Sequence, residues 1–362
     1  MKITEVVSDF YHVPLETPLS DSIHGEMPYF EMITVRIRTD AGVEGMGYTY
    51  TVGHGGAAIH SLLQCELPQL LVGQDPERTE YLWKRMNQSC NWIQGGALTL
   101  AISAVDIALW DIKGKAADLP LYRLLGGNSQ SIPCYAGGVD LEFTLEELKA
   151  QADGFLAQGF KAIKMKVGRK NWMEDVERVA AMREYLGRDF ALMIDANTGY
   201  PINVAVQAAR EFSQFNLVWF EEPTNHTDYE GHRRIQEEGG IPVATGENMK
   251  SLTEFREMIT RGGVTFPQPD ITNMGGISTW IKVAHLAEAH NLPVSTHGVH
   301  DIQVHLQCAV ANGSYLEMHL FAIDDYVEHP FQLVDGNAVP PERPGHGVNL
   351  NFDKLERYRV KR

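Results

Sequence analysis

Three carboxylates, Asp195, Glu221 and Glu247, follow one another at intervals of 26 residues, and each stands at or just past the end of a short apolar run that reads as a β-strand: ALMIDAN, LVWFEEP and PVATGEN. Acids gathered at one point repel unless a cation holds them, and an all-oxygen donor set without Cys or His selects a hard divalent ion. Mg²⁺ is the expected choice, because water and a ligand's own oxygens can complete its octahedron. One such acid alone is an ordinary solvated loop residue or helix cap. Three in register are not.

Two further patterns carry proton-transfer groups. In Lys164-Met165-Lys166 the two-residue period of a strand points both ammonium groups the same way, with Met165 on the opposite face. Their mutual repulsion is expected to lower both pKa values and to leave one lysine, Lys166, neutral enough to take a proton near neutral pH, with Lys164 acting mainly through its charge. PQPD ends on Asp270 and STHG contains His297, so neighbouring strand ends should bring a carboxylate to an imidazole. A bond from Asp270 to Nδ1 would fix the tautomer and raise the basicity, making His297 a second acid/base group across the site from Lys166. His300 has the same chemistry but no assigned partner. Glu317, in LEMH, is expected to brace a developing oxyanion, protonated or hydrogen-bonded. Asn197 shares the face of Asp195 and is expected to touch substrate, whereas Glu222 should point away from the axis.

These residues need elements that converge. One βα unit consumes roughly 30 residues, so the constant offset implies successive units of a parallel barrel, whose strand ends meet around one axis. Between Ile132 and about Met318 eight strand signals alternate with helical stretches: IPCYAGG, KAIKMKVG, ALMIDAN, LVWFEEP, IPVATGEN, GVTFPQPD, LPVSTHG and YLEMH. Eight strands close a barrel. A doubly wound sheet fits less well, because polar residues end nearly every strand instead of clustering at one switch point. Ahead of the barrel, MKITEVVS, FEMITVRIRTD and AGVEGMGYTY read as strands, the last two joined at Asp40-Ala41-Gly42, and LTLAISAVDIALWDIKGKAADLPLYRLLGG as helix ending at Gly126-Gly127. The expected division is an α+β capping domain over 1–128, the barrel over 129–322, and a segment over 323–362, rich in Pro and Gly at NAVPPERPGHGVNL, that returns to the cap.

Composition narrows the function further. The 362 residues, 44% hydrophobic, exceed what a single core fills, which suits a barrel with a second lobe. A net charge of −16, from 47 acids and 31 bases, argues against nucleic acid or an anionic membrane as partner. A metal and a few local lysines can still attract an anionic small molecule. No secretory leader or membrane-spanning run is evident, and Cys65, Cys90, Cys134 and Cys308 lack CxxC spacing, so a reducing cytoplasm is expected.

KMK, IDAN, WFEEP, GEN, QPDITNMGG, STHG and LEMH, in that order and with SAVDIALWDIKGK ahead of them, resemble the mandelate racemase subgroup of the enolase superfamily along essentially the whole chain. The resemblance implies an α+β cap over a (β/α)7β modified TIM barrel, Mg²⁺ held by Asp195, Glu221 and Glu247, and removal of the proton α to a carboxylate by Lys166 or by His297 oriented by Asp270. Lys164 and Glu317 would stabilise the resulting enediolate. Expulsion of a β-oxygen would make the enzyme a dehydratase, or a cycloisomerase if that oxygen belongs to a ring. Return of a proton on the other face, using Lys166 and His297 together, would make it a racemase or epimerase of a 2-hydroxy acid. By the same resemblance PLETPLSDSIHGEMPYF and YTYTVGHGG are loops over the barrel mouth, offering Ser20, Asp21, His24, Tyr48, Tyr50 and His54, of which His24, Tyr50 and His54, with His300, are the expected substrate contacts. Such groups suit hydroxyls, and the lack of Lys or Arg in both loops argues against a substrate with a second carboxylate. These loops and MHLFAIDDY are also similar to 3,6-anhydro-L-galactonate cycloisomerases, on an architecture that serves acid-sugar dehydratases as well. A sugar-acid substrate and a homo-oligomer are the expected partners. A non-catalytic binding relative and a phosphosugar-binding barrel remain the readings from other classes.

Overall fold

The computed structural model describes every residue except His24, Ala322, Phe331 and Arg362, together with all side chains but those four and Glu16, Thr17, Pro18 and Glu26. The chain opens with three antiparallel strands in the order β1 (Ile3–Asp21), β2 (Gly25–Thr39) and β3 (Glu44–Thr51). Between β2 and β3 the chain turns at the expected Asp40-Ala41-Gly42, where Gly42 takes φ +76° and Thr39 Oγ1 donates to Val43 O at 2.8 Å. The stretch expected as a first mouth loop is instead largely strand: β1 and β2 run on as one hairpin to Asp21 and Gly25, with a register break between Pro14 and Leu19.

Helices α1 (Gly56–Ser61), α2 (Leu67–Leu71), α3 (Thr79–Ser89) and α4 (Gly96–Ala116) cover this sheet. Ile33, Val35 and Ile37 alternate inward along β2 and pack with Leu63, Leu82, Met86, Ala101, Val105 and Leu109. Helix α4 lies so close to β3 that a Cβ on Gly47 would meet Ala108 N at 2.8 Å and Ile107 Cβ at 3.1 Å. The glycines of EGMGYTY are thus there to let two backbones approach.

After α5 (Leu121–Leu124) the barrel begins. Its parallel strands are β4 (Ile132–Gly137), β5 (Ala162–Lys166), β6 (Ala191–Asp195), β7 (Phe220–Glu221), β8 (Val243–Thr245) and β9 (Phe266–Pro267), and β10 (Leu316–Met318) closes the ring against β4. The interleaved helices are α6 (Leu145–Ala157), α7 (Trp172–Leu186), α8 (Ile202–Phe212), α9 (Tyr229–Gly239), α10 (Leu252–Thr260), α11 (Ile277–Ala289) and α12 (His300–Ala309). Seven helices and eight strand positions give the (β/α)7β arrangement. The seventh position, LPVSTHG, departs from a regular strand: toward β9 it makes the backbone bond Ser295 N to Pro267 O at 2.9 Å, and on its other side Val294 N to Asn312 O at 2.8 Å and Ser314 N to Val294 O at 2.9 Å, beside one bridge from Val294 to Gly313. Side-chain hydroxyls complete the closure there, with Ser295 Oγ donating to Tyr315 O at 2.9 Å.

Below the strand ends the interior is filled by rings. Tyr135, Trp219, Phe266 and Tyr315 meet edge to face or tilted, with centroids 5.1 to 5.7 Å from the Trp219 ring. This aromatic floor is fully buried at Tyr135 and Trp219.

The tail forms a hairpin, β11 (Gln332–Val334) and β12 (Asn337–Val339), whose second strand pairs with the start of β4, followed by α13 (Phe352–Leu355). It then ties back to the three-stranded sheet and α4: His346 Nε2 lies 2.7 Å from Met46 O, His346 N donates to Asp111 Oδ1 at 3.2 Å, and Val360 N donates to Phe10 O at 2.8 Å. No helix among the described residues is long and apolar enough to cross a membrane.

Candidate active site

Strand ends β6, β7 and β8 deliver the three acids to one place. Asp195 is the last residue of β6 and pairs in register with Glu221 at the end of β7, while Glu247 lies two residues beyond β8. One carboxylate oxygen from each lies within 4.8 Å of those from the other two. Asp195 Oδ1 accepts from Asn197 N at 2.8 Å, and Glu221 Oε2 accepts from Trp219 Nε1 at 2.9 Å and Gln268 Nε2 at 2.8 Å. Burial pushes Glu221 up to about 8, with Lys164 pulling it down and Asp195, Glu317 and Glu247 pushing it further up. An oxygen-only cluster that brings three acids to one point is the donor set that a hard divalent cation satisfies, so these residues fit Mg²⁺.

The two lysines sit where the strand period placed them, but their charge state differs from expectation. Lys164 Nζ meets Glu221 Oε1 at 2.5 Å, Glu317 Oε1 at 2.8 Å and Asp195 Oδ2 at 3.4 Å, and Lys166 Nζ meets Asp195 Oδ2 at 2.5 Å. Burial opposes the charged form of both, yet Glu221 and Glu317 raise Lys164 well above its ordinary value, and Asp195 carries Lys166 up to about 12. Mutual repulsion of the lysines is therefore outweighed by the acids between them. A lysine made neutral by its twin is not what the side chains alone produce.

Asp270 and His297 meet as expected, with Nδ1 3.0 Å from Asp270 Oδ2. The carboxylate is anchored on every side: Oδ1 accepts from Thr272 N at 2.7 Å and Thr272 Oγ1 at 2.6 Å, and Oδ2 accepts from Tyr50 OH at 3.1 Å. Burial works against the imidazolium, but Glu247, the hydrogen-bonded Asp270 and Glu317 push His297 up to about 10. Its Nε2 lies 3.5 Å from Glu247 Oε2, facing the acid cluster. Glu317 accepts from Gly298 N at 3.0 Å as well as from Lys164. Burial pushes Glu317 up, but Lys164, His297 and His319 outweigh it and hold the carboxyl below its usual range, so it stands as an ionised acceptor and not as the proton donor that was one expectation.

A cavity of about 210 Å³ opens beside these groups, lined by Lys166, Asn197, Glu247 and His297 from the barrel and by Asp21, Met27, Tyr50, Thr51 and Val52 from the cap. Asn197, at φ +40°, turns its amide toward Glu247 Oε1 at 3.3 Å, as a neighbour of the acid cluster should. Of the expected substrate contacts, Tyr50 lines the cavity but spends its hydroxyl on Asp270. His54 is exposed on the bend after β3 and does not line the cavity. His300 is buried at the start of α12 with Nε2 3.6 Å from Asp324 Oδ2, and it too is off the lining. Tyr48 donates to Asp301 at 2.9 Å and is likewise withdrawn. His24 lies outside the described residues.

Residues 4–126 match the family model described as Mandelate racemase / muconate lactonizing enzyme, N-terminal domain, and residues 147–354 match Enolase C-terminal domain-like. The chain belongs to the mandelate racemase/muconate lactonizing enzyme subgroup of the enolase superfamily. Among its relatives, a 3,6-anhydro-α-L-galactonate cycloisomerase of Streptomyces coelicolor is 48% identical over 359 residues, 99% of either chain. An L-talarate/galactarate dehydratase of Salmonella typhimurium is 34% identical over 94% of this chain and 86% of its own. A crystal structure of a racemase from Streptomyces coelicolor A3(2) with bound magnesium matches with a TM-score of 0.96 and 48% identity, covering 99% of this chain and 100% of that one.

Three polar residues of this enolase-superfamily site escaped the sequence reading. His319 lines the cavity with its ring centroid 5.3 Å from that of His297. Burial holds it down to about 3, so it is neutral, and because Nδ1 accepts from Phe321 N at 3.0 Å the ring proton belongs on Nε2. The two-residue period from Glu317 was the signal that could have found it. Asp140, past β4, fixes the end of β5: Lys166 N donates to its Oδ1 at 2.8 Å, and Arg178 donates to Asp140 O at 3.0 Å and Lys166 O at 2.9 Å. Lys250, on the irregular loop after β8, also lines the cavity, and no periodicity points to it.

Proposed function

We propose that this protein removes the proton α to the carboxylate of a sugar acid and then eliminates the β-oxygen, as a dehydratase or an anhydro-sugar-acid cycloisomerase. The observation that carries this reading is the juxtaposition in one small cavity of Lys166 and His297 with Glu247 of the carboxylate triad. Magnesium held by Asp195, Glu221 and Glu247 would draw charge from the substrate carboxylate and make the α C–H more acidic. Lys164, with its ammonium between Glu221 and Glu317, supplies fixed positive charge where the enediolate's negative charge develops. Lys166 and His297 serve as the proton-transfer groups, on elements separated around the ring by β6 to β9, and Asp270 orients the imidazole. Lys166 can accept a proton only once the pull of Asp195 on it is relieved, as it would be with Asp195 holding a cation. His319, neutral with its donor on Nε2, would hold a substrate hydroxyl.

Elimination is favoured over racemisation by the cycloisomerase and dehydratase relatives. The presence of two acid/base groups, together with the relative described as a racemase, keeps epimerisation of a 2-hydroxy acid as the second reading. The division at 128 and 322, a homo-oligomeric assembly and a cytoplasmic setting belong to the same proposal, the last supported by four unpaired cysteines. The test is incubation with Mg²⁺ in D₂O and a panel of sugar acids, including 3,6-anhydro-L-galactonate and galactarate. A 2-keto acid product that EDTA abolishes is expected; α-deuteration without elimination would shift the assignment to the racemase, and neither outcome with any acid would overturn both.

A further inference from the structure

Of the three acids, Glu247 is the one least held by its own side chain. The side chains of Asp195 and Glu221 are 0% exposed, and each is pinned by a lysine and by further hydrogen bonds. Glu247 keeps 12% exposure, and among the described residues its carboxylate meets only Asn197 Nδ2 at 3.3 Å and His297 Nε2 at 3.5 Å. Nor does it stand on a strand. It lies past β8 in a turn over residues 246–249, closed by Met249 N donating to Gly246 O at 3.0 Å. The direction of this carboxylate therefore depends on how its backbone is fixed.

That backbone is held from the loop after β9. Asn273 Nδ2 donates to Glu247 O at 2.6 Å, and among the described residues nothing else bonds to this carbonyl. Because a carbonyl only accepts, the amide's orientation is settled, and Oδ1 on its other side is buried without a partner among the described residues. The bond to Glu247 is thus the one hydrogen bond that the Asn273 side chain makes there. Asn273 N donates in turn to Asp270 O at 3.3 Å, closing a turn whose first residue orients His297. A single turn carries the partner of the imidazole at its start and the partner of the third acid at its end. On the other side of Glu247, Asn248 is tied down by Glu222, donating at 2.9 and 3.1 Å.

We infer that Asn273 is a positioning residue for the metal centre: by holding the Glu247 carbonyl it aims the Glu247 carboxylate, and so sets how well the three acids suit Mg²⁺ over a larger ion. This deepens the proposed function, resting on its magnesium site and not on its substrate. Mg²⁺ demands near-ideal octahedral geometry at about 2.1 Å, whereas Ca²⁺ accepts longer and more variable contacts. A loosened ligand therefore penalises the smaller ion more. Losing a group that orients a metal ligand lowers affinity by about 10- to 100-fold.

Calorimetric titration of the metal-free full chain with Mg²⁺ and, separately, with Ca²⁺ tests this without any organic ligand. Asn273→Leu keeps the shape and removes the donor; it should weaken Mg²⁺ by about tenfold or more and Ca²⁺ by no more than about threefold. Asn273→Asp, which at neutral pH only accepts, should lower the ratio of Mg²⁺ to Ca²⁺ affinity in the same direction. Its added charge moves both affinities but not their ratio, because both ions are divalent. Thermal unfolding of the metal-free variants checks that each folds, and the Asp variant reads the ratio if the Leu variant does not. An unchanged ratio in the folded variants, or equal weakening of both ions, would overturn the inference and leave the elimination chemistry untouched. A native protein that bound neither ion would overturn it together with the metal site.

Discussion

Asp270 accepts four hydrogen bonds, and only one of them comes from His297. The others, from Thr272 and Tyr50, lock the carboxylate so that its remaining lone pair selects a single imidazole tautomer. Asp270→Asn should keep the fold yet lower kcat by about 10²- to 10⁴-fold, since the amide can donate to Nδ1 and reverse the tautomer; steady-state kinetics with a verified substrate reads this, and a loss below threefold would remove the dyad from the mechanism. Much of the geometry at this scale was legible because the three acids, the two lysines and Asp270 with His297 stand on or just past strand ends, where convergence and side-chain period coincide. The protonation states were not. A count of nearby like charges misjudged Lys166, because the decisive term is a single contact with Asp195 on the next strand, which pairing register sets and the Lys-Met-Lys motif does not reveal.

Among elements, the contact of α4 with β3 is the most constrained. Adding one methyl at Gly47 drives Cβ into Ala104 O and to 2.8 Å from Ala108 N, and both are backbone atoms of a helix that has no freedom to yield. Gly47→Ala should therefore cost about 1–3 kcal/mol, as overpacking does, and lower the melting temperature; an unchanged unfolding midpoint would mean that the helix shifts freely. The barrel strands were readable as short apolar runs, and the stretches between them as helical from the alternation. The seventh barrel strand was less regular than its apolar run implied: few backbone bonds tie it, and the hydroxyls of Ser295 and Ser314 add bonds to Tyr315 O and Val294 O. The tail hairpin was missed although Asp335-Gly336 marks its turn, with φ +51° and +78°, a signal hidden among neighbouring Pro and Gly residues.

For the molecule as a whole, the join between the two lobes passes through Asp106. From α4 its carboxylate accepts from Ser278 N at 2.8 Å and Ser278 Oγ at 2.7 Å, capping the first turn of α11. Burial pushes Asp106 up to about 7, the Ser278 bonds pulling it back only partly. The folded state therefore holds a proton that the unfolded chain, with an Asp pKa of about 3.9, has released. The stability this contributes is complete below about pH 4 and is lost as pH rises toward 7. Asp106→Asn has no proton to lose, so the stability advantage of the native protein over this variant should shrink between pH 4 and 7, as followed by thermal melts; a constant gap would show that Asp106 is ionised throughout. SAVDIALWDIKGK marked the helix in the sequence, but nothing in it revealed that one of its acids reaches into the other lobe.

The aromatic floor gives the barrel a direction. Tyr135, Trp219, Phe266 and Tyr315 cork the end below the strand tips, and Trp219 is bonded to a carboxylate of the triad. Among the described residues, Asp21, Met27, Tyr50, Thr51 and Val52 of the cap wall the cavity on its other side. With the floor filled by rings, a product leaves past those cap residues, and the pace of release becomes a property of the cap as much as of the chemistry beneath it.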